Sequence, residues 1–343
     1  MSSSVQEELA RQLEVLGNPP VAVRSSATDE DTPGASAAGQ YESVLGVRGP
    51  QQVAEAVRTC WESSSAHRAA DYRANVAHIT DRGTDMAVLV QRLVDADRAG
   101  VLFTPARPEE GLRIEATWGL GVGVVGGTVT PDVFEVGPDG STQRTISLKL
   151  SRVDRARECP GVRVRAVPER QQAVPALDDT AVSALASLGH RVAKLLGQPQ
   201  DIEWAIAEGQ PWILQARPIT VPLPALPART AAQTGSVLTG SPGAHGVATG
   251  VARILRGPFD IARVRPGDIV ICRFTDPAWT PVFQVAAAVV TETGGVLSHA
   301  AIVAREHGIP AVLGVPQVTT RLRDGARITV DGTEGTITPA VRD

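Results

Sequence analysis

The stretch Thr291-Glu-Thr-Gly-Gly-Val-Leu-Ser-His-Ala-Ala-Ile-Val-Ala-Arg-Glu-His-Gly-Ile-Pro310 reads as the end of a strand, a double-glycine loop and the start of a helix. Residues 286–291 are short, apolar and β-branched toward their end, as a buried strand is, whereas residues 300–306 are rich in helix formers. Gly294 and Gly295 permit a sharp turn between them, and Ser298 is a good N-cap residue. His299 therefore falls in the first helical turn, where unpaired backbone N–H groups and the positive end of the helix dipole favour an anion. A phosphoryl group on a ring nitrogen would be held there without a neighbouring lysine. The same residues fit a capping histidine or one satisfied inside a core equally well.

Composition sets limits around that stretch. A chain of 343 residues with 43% hydrophobic residues can fill the cores of two or three domains. Aromatic residues make up only 3%, so those cores must rest on Val, Leu, Ile and Ala. A net charge of −4 provides no global basic field for nucleic acid or an anionic membrane, and any phosphate site must be local. Cys60, Cys159 and Cys272 are odd in number and far apart, which matches neither a disulfide framework nor a metal cluster and fits structural thiols in a reducing compartment. The first residues carry no basic-plus-apolar signal and no apolar run approaches a membrane span, so a cytoplasmic protein is expected. Lys149 and Lys194 are the only lysines, which restricts the choice of a nucleotide-binding lysine; Lys149 reads as a surface strand residue.

One boundary stands out. Residues 221–235 carry three prolines followed by small polar residues, a semi-rigid and then flexible linker. It separates residues 1–220 from a compact unit over 236–343, in which 269–272, 286–291 and 326–330 read as strands and a helix follows His299.

Two segments of the larger unit carry chemistry. Residues 20–40 run from a buried strand into a polar loop, and Arg24 leaves that strand where a guanidinium fork could grip phosphate oxygens, with Ser25, Ser26 and Thr28 as hydroxyl donors. Pairing of Arg24 with Asp29, Glu30 or Asp31 in a structural loop is the alternative. Residues 201–217 read as a hairpin turning around Gly209; a symmetrical register sets Glu203 opposite Gln215 and Asp201 opposite Arg217, all on one face. That set suits Mg²⁺ bridging phosphates, with Glu203 and Gln215 as oxygen ligands and Arg217 neutralising phosphoryl charge. A cross-strand salt bridge of Asp201 or Glu203 with Arg217 on a solvated face explains the same residues.

Three C-terminal segments, Gly240-Ser-Pro-Gly-Ala-His-Gly-Val-Ala-Thr-Gly-Val-Ala-Arg253, Phe274-Thr-Asp-Pro-Ala-Trp-Thr-Pro-Val-Phe283 and the His299 stretch, together resemble the mobile domain of the phosphoenolpyruvate-utilising enzymes. That group contains pyruvate phosphate dikinase, phosphoenolpyruvate synthase and rifampin phosphotransferase, and the second segment is nearest the rifampin phosphotransferase type. His299 takes the place of the family's phosphorylated histidine; Leu297 stands where a threonine is common, which costs a possible hydrogen bond. Arg24 matches the phosphate-contacting arginine of the family's nucleotide domain, and Glu203, Gln215 and Arg217 match its terminal ATP-grasp strands. Residues 118–132 are similar to a glycine-rich family segment but carry Val122 where glutamate is usual, and residues 91–104 resemble a family strand pair that contributes packing.

The resemblance implies an α/β fold: an α+β ATP-grasp-like region incomplete at its N-terminus, then a small β/α swivelling phosphohistidine domain. Family members place a further subdomain with a Gly-Gly-Lys-Gly type loop before the arginine loop, where only residues 1–20 precede Val21, and neither a phosphoenolpyruvate barrel nor an acceptor domain lies between 220 and 236. A second polypeptide supplying the missing subdomain is the expected partner. The expected function is an ATP- and Mg²⁺-dependent phosphotransferase, or the large subunit of a split one, in which His299 carries a phosphoryl group to a small hydroxylated metabolite in specialised metabolism or antibiotic modification, releasing AMP and phosphate. Elimination of the new phosphate by another enzyme could follow. The alternative is a non-catalytic phosphocarrier or binding subunit that needs a partner for ATP chemistry.

Overall fold

The computed structural model describes residues 1–27, 42–63, 86–107, 109–219 and 237–340. Thr28, Asp29, Glu30 and Asp31 and the expected linker at 221–235 lie outside the described residues. No helix among the described residues is long and apolar enough to cross a membrane.

Near the N-terminus, helices α1 (Ser3–Val15) and α2 (Pro50–Ser63) cover an antiparallel sheet in which β1 (Val21–Ala27) lies between β2 (Ser43–Val47) and β3 (Met86–Arg92). Val21 and Val23 point into the core under the helices, with Leu13, Val53, Val57 and Cys60. Strand alternation turns Arg24 to the opposite face. The Cys60 thiol donates to the Glu42 carbonyl at 3.3 Å and is a structural thiol as expected.

The second sheet is antiparallel throughout. Its strands are β4 (Arg98–Phe103), β5 (Leu112–Trp118), β6 (Asp132–Val136), β7 (Thr142–Thr145), and the hairpin β10 (Gln200–Ala207) and β11 (Gln210–Pro218), ordered β11-β10-β4-β5-β6-β7. Between β5 and β6 lies the short helix α3 (Val122–Val125); β8 (Ser151–Arg155) and β9 (Val162–Ala166) form a separate ribbon. One face packs Leu102, Ile114, Phe134, Ile202 and Trp204 against Val182, Leu185 and Ala186 of α4 (Asp179–Leu196). That helix is capped by the Asp178 carboxylate, which accepts from the Ala181 N–H, and it ends at the left-handed Gly197.

The third sheet collects all the described strands after residue 237. These are β12 (Leu238–Thr239), β13 (Ser241–Ala244), β14 (Val247–Ile254), β15 (Ile269–Cys272), β16 (Ala288–Thr291), β17 (Ala311–Leu313), β18 (Arg327–Asp331) and β19 (Thr336–Pro339), in the order β12-β19-β18-β14-β15-β16-β17-β13. Strands β14 to β17 run parallel, and β15, β16 and β17 are buried at every residue, as parallel strands covered on both faces must be. Helix α5 (His299–His307) packs Ala300, Ala301, Val303 and Ala304 on one side of this sheet. The mixed α/β architecture agrees with the expected fold class.

Three local readings need correction. Residues 86–92 and 98–103 are not partners: β3 belongs to the first sheet and β4 to the second. Lys149 is not a surface residue, because its ammonium is fully buried and bonded to Asp132 at 2.6 Å and to the Ser147 carbonyl at 2.9 Å. The 201–217 hairpin does not turn symmetrically about Gly209. Glu208 and Gly209 form a two-residue turn with φ of 52° and 75°, which pairs Ala207 with Gln210 and Trp204 with Ile213. An irregularity next to Glu203 leaves Leu214 unpaired and restores the expected partners, Glu203 with Gln215 and Asp201 with Arg217.

Candidate active site

His299 opens helix α5 and is only 5% exposed. Its Nδ1 lies 2.8 Å from Thr275 Oγ1, its Nε2 lies 3.5 Å from Thr280 Oγ1, and Phe283 meets the ring edge-on at 5.9 Å between centroids. Burial pushes the imidazole down to about 3, so the ring is neutral at pH 7 and keeps a lone pair for nucleophilic attack. Ser298 occupies the N-cap position in extended backbone, yet its side chain makes no capping bond and its buried Oγ has no hydrogen-bond partner among the described residues. The capping expectation is therefore right in place and wrong in mechanism. Ser298 is also packed closely against the second sheet: a Cβ on Gly127 would lie 2.9 Å from the Ser298 Cβ.

That contact belongs to a joint between the glycine-rich segment of the second sheet and the histidine loop. Thr293 donates from Oγ1 to the Gly127 carbonyl at 2.6 Å, and the Val296 N–H donates to Glu115 Oε1 at 3.1 Å. Gly295 sits against the Glu115 carboxylate, where any side chain would collide with Oε2. Val296, Leu297 and Ile302 pack into Val101, Phe103, Val124 and Val129. Arg305, one turn and a half along α5, donates to the Val296 and Gly243 carbonyls at 2.7 and 2.8 Å and so braces the loop from behind. Burial pushes Arg305 down to about 10 against the pull of Glu115 and Asp201. Burial also pushes the Glu115 carboxyl up, opposed by Arg113, the Val296 N–H and Arg305.

On the same face of the second sheet stand the residues expected to meet nucleotide phosphates. Arg24 reaches from β1 to Glu203 Oε2 at 3.2 Å and to Gln215 Oε1 in a very short contact. The loop acids Asp29, Glu30 and Asp31 of the alternative pairing lie outside the described residues. Arg217 Nε donates to Asp201 Oδ2 at 2.9 Å. Asp201 is raised to about 6, by burial first, against the neighbouring Arg217; its other oxygen is buried without a hydrogen-bond partner among the described residues. Of the alternative readings, the cross-strand ion pair Asp201–Arg217 is present, but it is buried rather than solvated.

Register joins these two groups. Gln215, Glu203, Val101 and Glu115 are successive cross-strand partners, a single row over four strands. With neighbouring strands about 4.8 Å apart, Glu203 and the carboxylate that holds the histidine loop are separated by roughly 10 Å along that row. Asp201, Phe103 and Arg113 form the next row of cross-strand partners on the same face. His299, Arg24, Glu203, Gln215 and Arg217 thus gather on one side of the sheet. Glu203 and Gln215 offer one carboxylate and one amide oxygen converging on the same guanidinium nitrogen, a donor pair that suits Mg²⁺ completed by phosphate oxygens and waters. Among the described residues no cluster of three or more His, Cys, Asp or Glu could hold a metal by itself. Sequence reading missed Glu115, Arg305 and Thr275; the available signals were a glutamate in a strand buried on both faces and an arginine on an otherwise alanine-rich helix face.

Residues 1–234 match the family described as pyruvate phosphate dikinase, AMP/ATP-binding domain, and residues 264–335 match PEP-utilising enzyme, mobile domain. The chain is 38% identical over 320 residues to a probable phosphoenolpyruvate synthase of Methanothermobacter thermautotrophicus, covering 92% of this chain and 46% of that protein. It is 39% identical to a phosphoenolpyruvate synthase of Aeropyrum pernix and 35% identical to that of Escherichia coli, over 93% and 98% of this chain and 44% and 45% of those proteins. The chain therefore spans less than half the length of these curated relatives.

Proposed function

The chain belongs to the PEP-utilising enzyme family, and from that premise we propose that it is an ATP-dependent phosphotransferase that carries its phosphoryl group on His299. The observation that carries this reading is the row Gln215–Glu203–Val101–Glu115, which sets a neutral, loop-anchored histidine and an Arg24–Glu203–Gln215 cluster on one face of one sheet.

In this mechanism Arg24 and Arg217 bind phosphate oxygens, and Arg217 offsets charge that develops as the bridging P–O bond breaks. Asp201 holds Arg217 in orientation through its Nε. Glu203 and Gln215 would hold Mg²⁺, which supplies further neutralisation of phosphate charge when bound. Arg24 must exchange its present partners for phosphate as the nucleotide enters, since both accept from the same nitrogen. The hydrophobic packing of Val296, Leu297 and Ile302 on Val101 and Phe103 excludes water from the joint, so attack on phosphorus competes well with hydrolysis. His299 attacks the β phosphorus as the α–β bridging P–O bond breaks and its electron pair leaves with AMP; water takes the γ phosphoryl as phosphate, and the β phosphoryl left on His299 then passes to an oxygen of the acceptor.

A small hydroxylated metabolite is the proposed acceptor, on the likeness of residues 274–283 to the rifampin phosphotransferase type. The names of the relatives favour a second reading, with phosphoenolpyruvate as the phosphorylated product. The proposed partner is a second polypeptide that completes the nucleotide site.

Incubation with β- or γ-labelled ATP and Mg²⁺, alone and with a neighbouring gene's product, tests the reading. Acid-labile, base-stable label from the β position is expected on the wild type and not on His299→Ala. Label only with the added product supports the split enzyme, and no label in either case favours the binding subunit. Chase with pyruvate or with hydroxylated metabolites identifies the acceptor.

A further inference from the structure

Glu115 lies in the middle of the joint and is only 1% exposed. Its Oε1 accepts from the Val296 N–H at 3.1 Å, while Oε2 is buried without a hydrogen-bond partner among the described residues. That second oxygen lies over Gly295, where an added Cβ would come within 2.3 Å of it and 2.8 Å of Pro131 Cγ. The cations that face this carboxyl use their N–H groups elsewhere. Arg305, from α5, donates to the Gly243 and Val296 carbonyls; Arg113, two residues back along β5, reaches Glu135 at 3.5 Å, and its Nη1 has no partner among the described residues. Asp201, from β10, adds a like charge, and the cross-strand neighbours Val101 and Val133 add none. A carboxylate here would have one N–H and attraction only at a distance, which does not offset its lost hydration. A neutral acid with one unsatisfied O–H costs far less. Burial accordingly pushes the carboxyl up, against the opposing pull of Arg113, the Val296 N–H and Arg305.

We infer that Glu115 is a proton-linked positioning residue: it holds the histidine loop as the neutral acid, so closure of the joint takes up one proton and opening returns it to water. On opening, the Glu115 O–H bond breaks, its electron pair stays on the carboxyl oxygen and the proton passes to solvent; closure reverses each step. The sign follows from the two environments. In the open form the carboxyl meets water and titrates near its ordinary 4.5, whereas the closed form keeps the proton to higher pH. Closure is therefore fully supported below about 4.5 and weakens by up to about tenfold per pH unit above it, until the closed carboxyl itself ionises. Acid holds the loop down and base releases it. His299 sits in the same joint and is 5% exposed, so an acceptor reaches the ring only after the loop leaves the sheet. That consequence rests on the phosphotransfer reading; the proton linkage rests on the geometry of the joint.

The test is amide hydrogen exchange in the full chain without nucleotide, between about pH 6 and pH 8, corrected for the intrinsic base dependence of exchange. The wild-type opening equilibrium at the Val296 amide is expected to grow by about 3- to 10-fold per pH unit. Glu115→Gln keeps the acceptor oxygen and the shape but cannot titrate, and its opening at Val296 is expected to be independent of pH. A wild type without the slope overturns the inference before any variant is made, and so does a Glu115→Gln protein that keeps it. The second arm is the infrared difference spectrum at pH 7, wild type minus Glu115→Gln. It is expected to show the C=O stretch of a protonated carboxyl; carboxylate bands in its place overturn the inference. Neither arm contains nucleotide, so failure of the phosphotransfer reading leaves both standing, and failure of both leaves phosphorylation of His299 intact.

Discussion

The two faces of the six-stranded sheet are made by alternate residues of the same strands and are built to opposite ends. One face carries Leu102, Ile114, Phe134, Ile202 and Trp204, closed by the apolar side of α4. The other carries Val101, Phe103, Glu115, Asp201 and Glu203, closed by a loop more than ninety residues further along the chain and by Arg24 from another sheet. The first face is held mainly by dispersion and hydrophobic burial, with Trp204 Nε1 as a buried polar atom without a partner among the described residues. The second leaves Glu115 Oε2, Asp201 Oδ1 and Ser298 Oγ buried without hydrogen-bond partners among the described residues. Buried orphans cost stability on either face, but those of the second face include two carboxylate oxygens and the hydroxyl next to His299, groups suited to something other than stability alone. The contrast separates what makes the fold from what the fold presents.

Neighbouring residues on opposite faces give the sharpest way to break that contrast. Ile202→Ala empties a fully buried site under α4 and is expected to cost about 2–5 kcal/mol of unfolding free energy, read from urea denaturation. Glu203→Gln, one residue on, is expected to change stability by less than about 1 kcal/mol, because its carboxylate is a quarter exposed. It should slow phosphorylation of His299 by about 10²-fold or more. Equal stability losses from both substitutions, or a Glu203→Gln protein phosphorylated at the wild-type rate, would erase the distinction between the faces.

The joint itself gives the second test. Glu115→Leu removes the acceptor of the Val296 N–H, and an unpaired buried donor costs about 1–3 kcal/mol. The expected result is faster hydrogen exchange at the Val296 amide, by about 5- to 150-fold on the same scale, with the amides of Ile202 and Trp204 unchanged. Unchanged exchange at Val296 would mean that Glu115 does not hold the histidine loop.

What could be read in advance follows the range of the interaction. Strand β15, the strand before the glycine loop and helix α5 rest on local propensity and burial, and all were legible in the sequence, the strand before the loop only to within two residues, since it starts at Ala288. The partners Glu203–Gln215 and Asp201–Arg217 were legible for a wrong reason: the symmetrical turn assumed a register that the Glu208-Gly209 turn shifts and the unpaired Leu214 shifts back. Lys149 was not legible, because a lysine in a short polar-apolar alternation has no sequence mark that distinguishes a surface position from the buried ion pair with Asp132. Glu115 was missed since its partner Val296 lies 181 residues away, and Arg305 since it bonds the carbonyls of Val296 and Gly243, 9 and 62 residues away, contacts that no periodicity encodes. Thr275 was within a quoted motif, but only the folded loop shows that its hydroxyl faces Nδ1.

A smaller effect, in the pH dependence, probes whether the ring is covered as this arrangement requires. The buried His299 titrates near 3, whereas a free histidine titrates near its ordinary 6.5. For a base whose folded value is depressed, the folded state holds fewer protons, so stability is whole above about 6.5 and falls by about 1.4 kcal/mol per pH unit below it, until the buried ring itself protonates. Asp201 acts in the opposite direction: its carboxyl is raised from 3.8 to about 6, so lowering the pH across that interval restores stability. The two slopes offset each other between about 6 and 4, so the wild-type profile alone does not isolate the ring. His299→Gln isolates the ring, because the variant keeps Asp201 and loses only the imidazole titration. The difference in stability between wild type and variant should therefore shrink or change sign by about 1.4 kcal/mol for each unit of acidification from pH 6 to pH 4. A difference that stays constant over that range would show that the ring takes up its proton without leaving the joint, and the contrast between a sealed structural face and a sealed reactive one would lose its chemical basis.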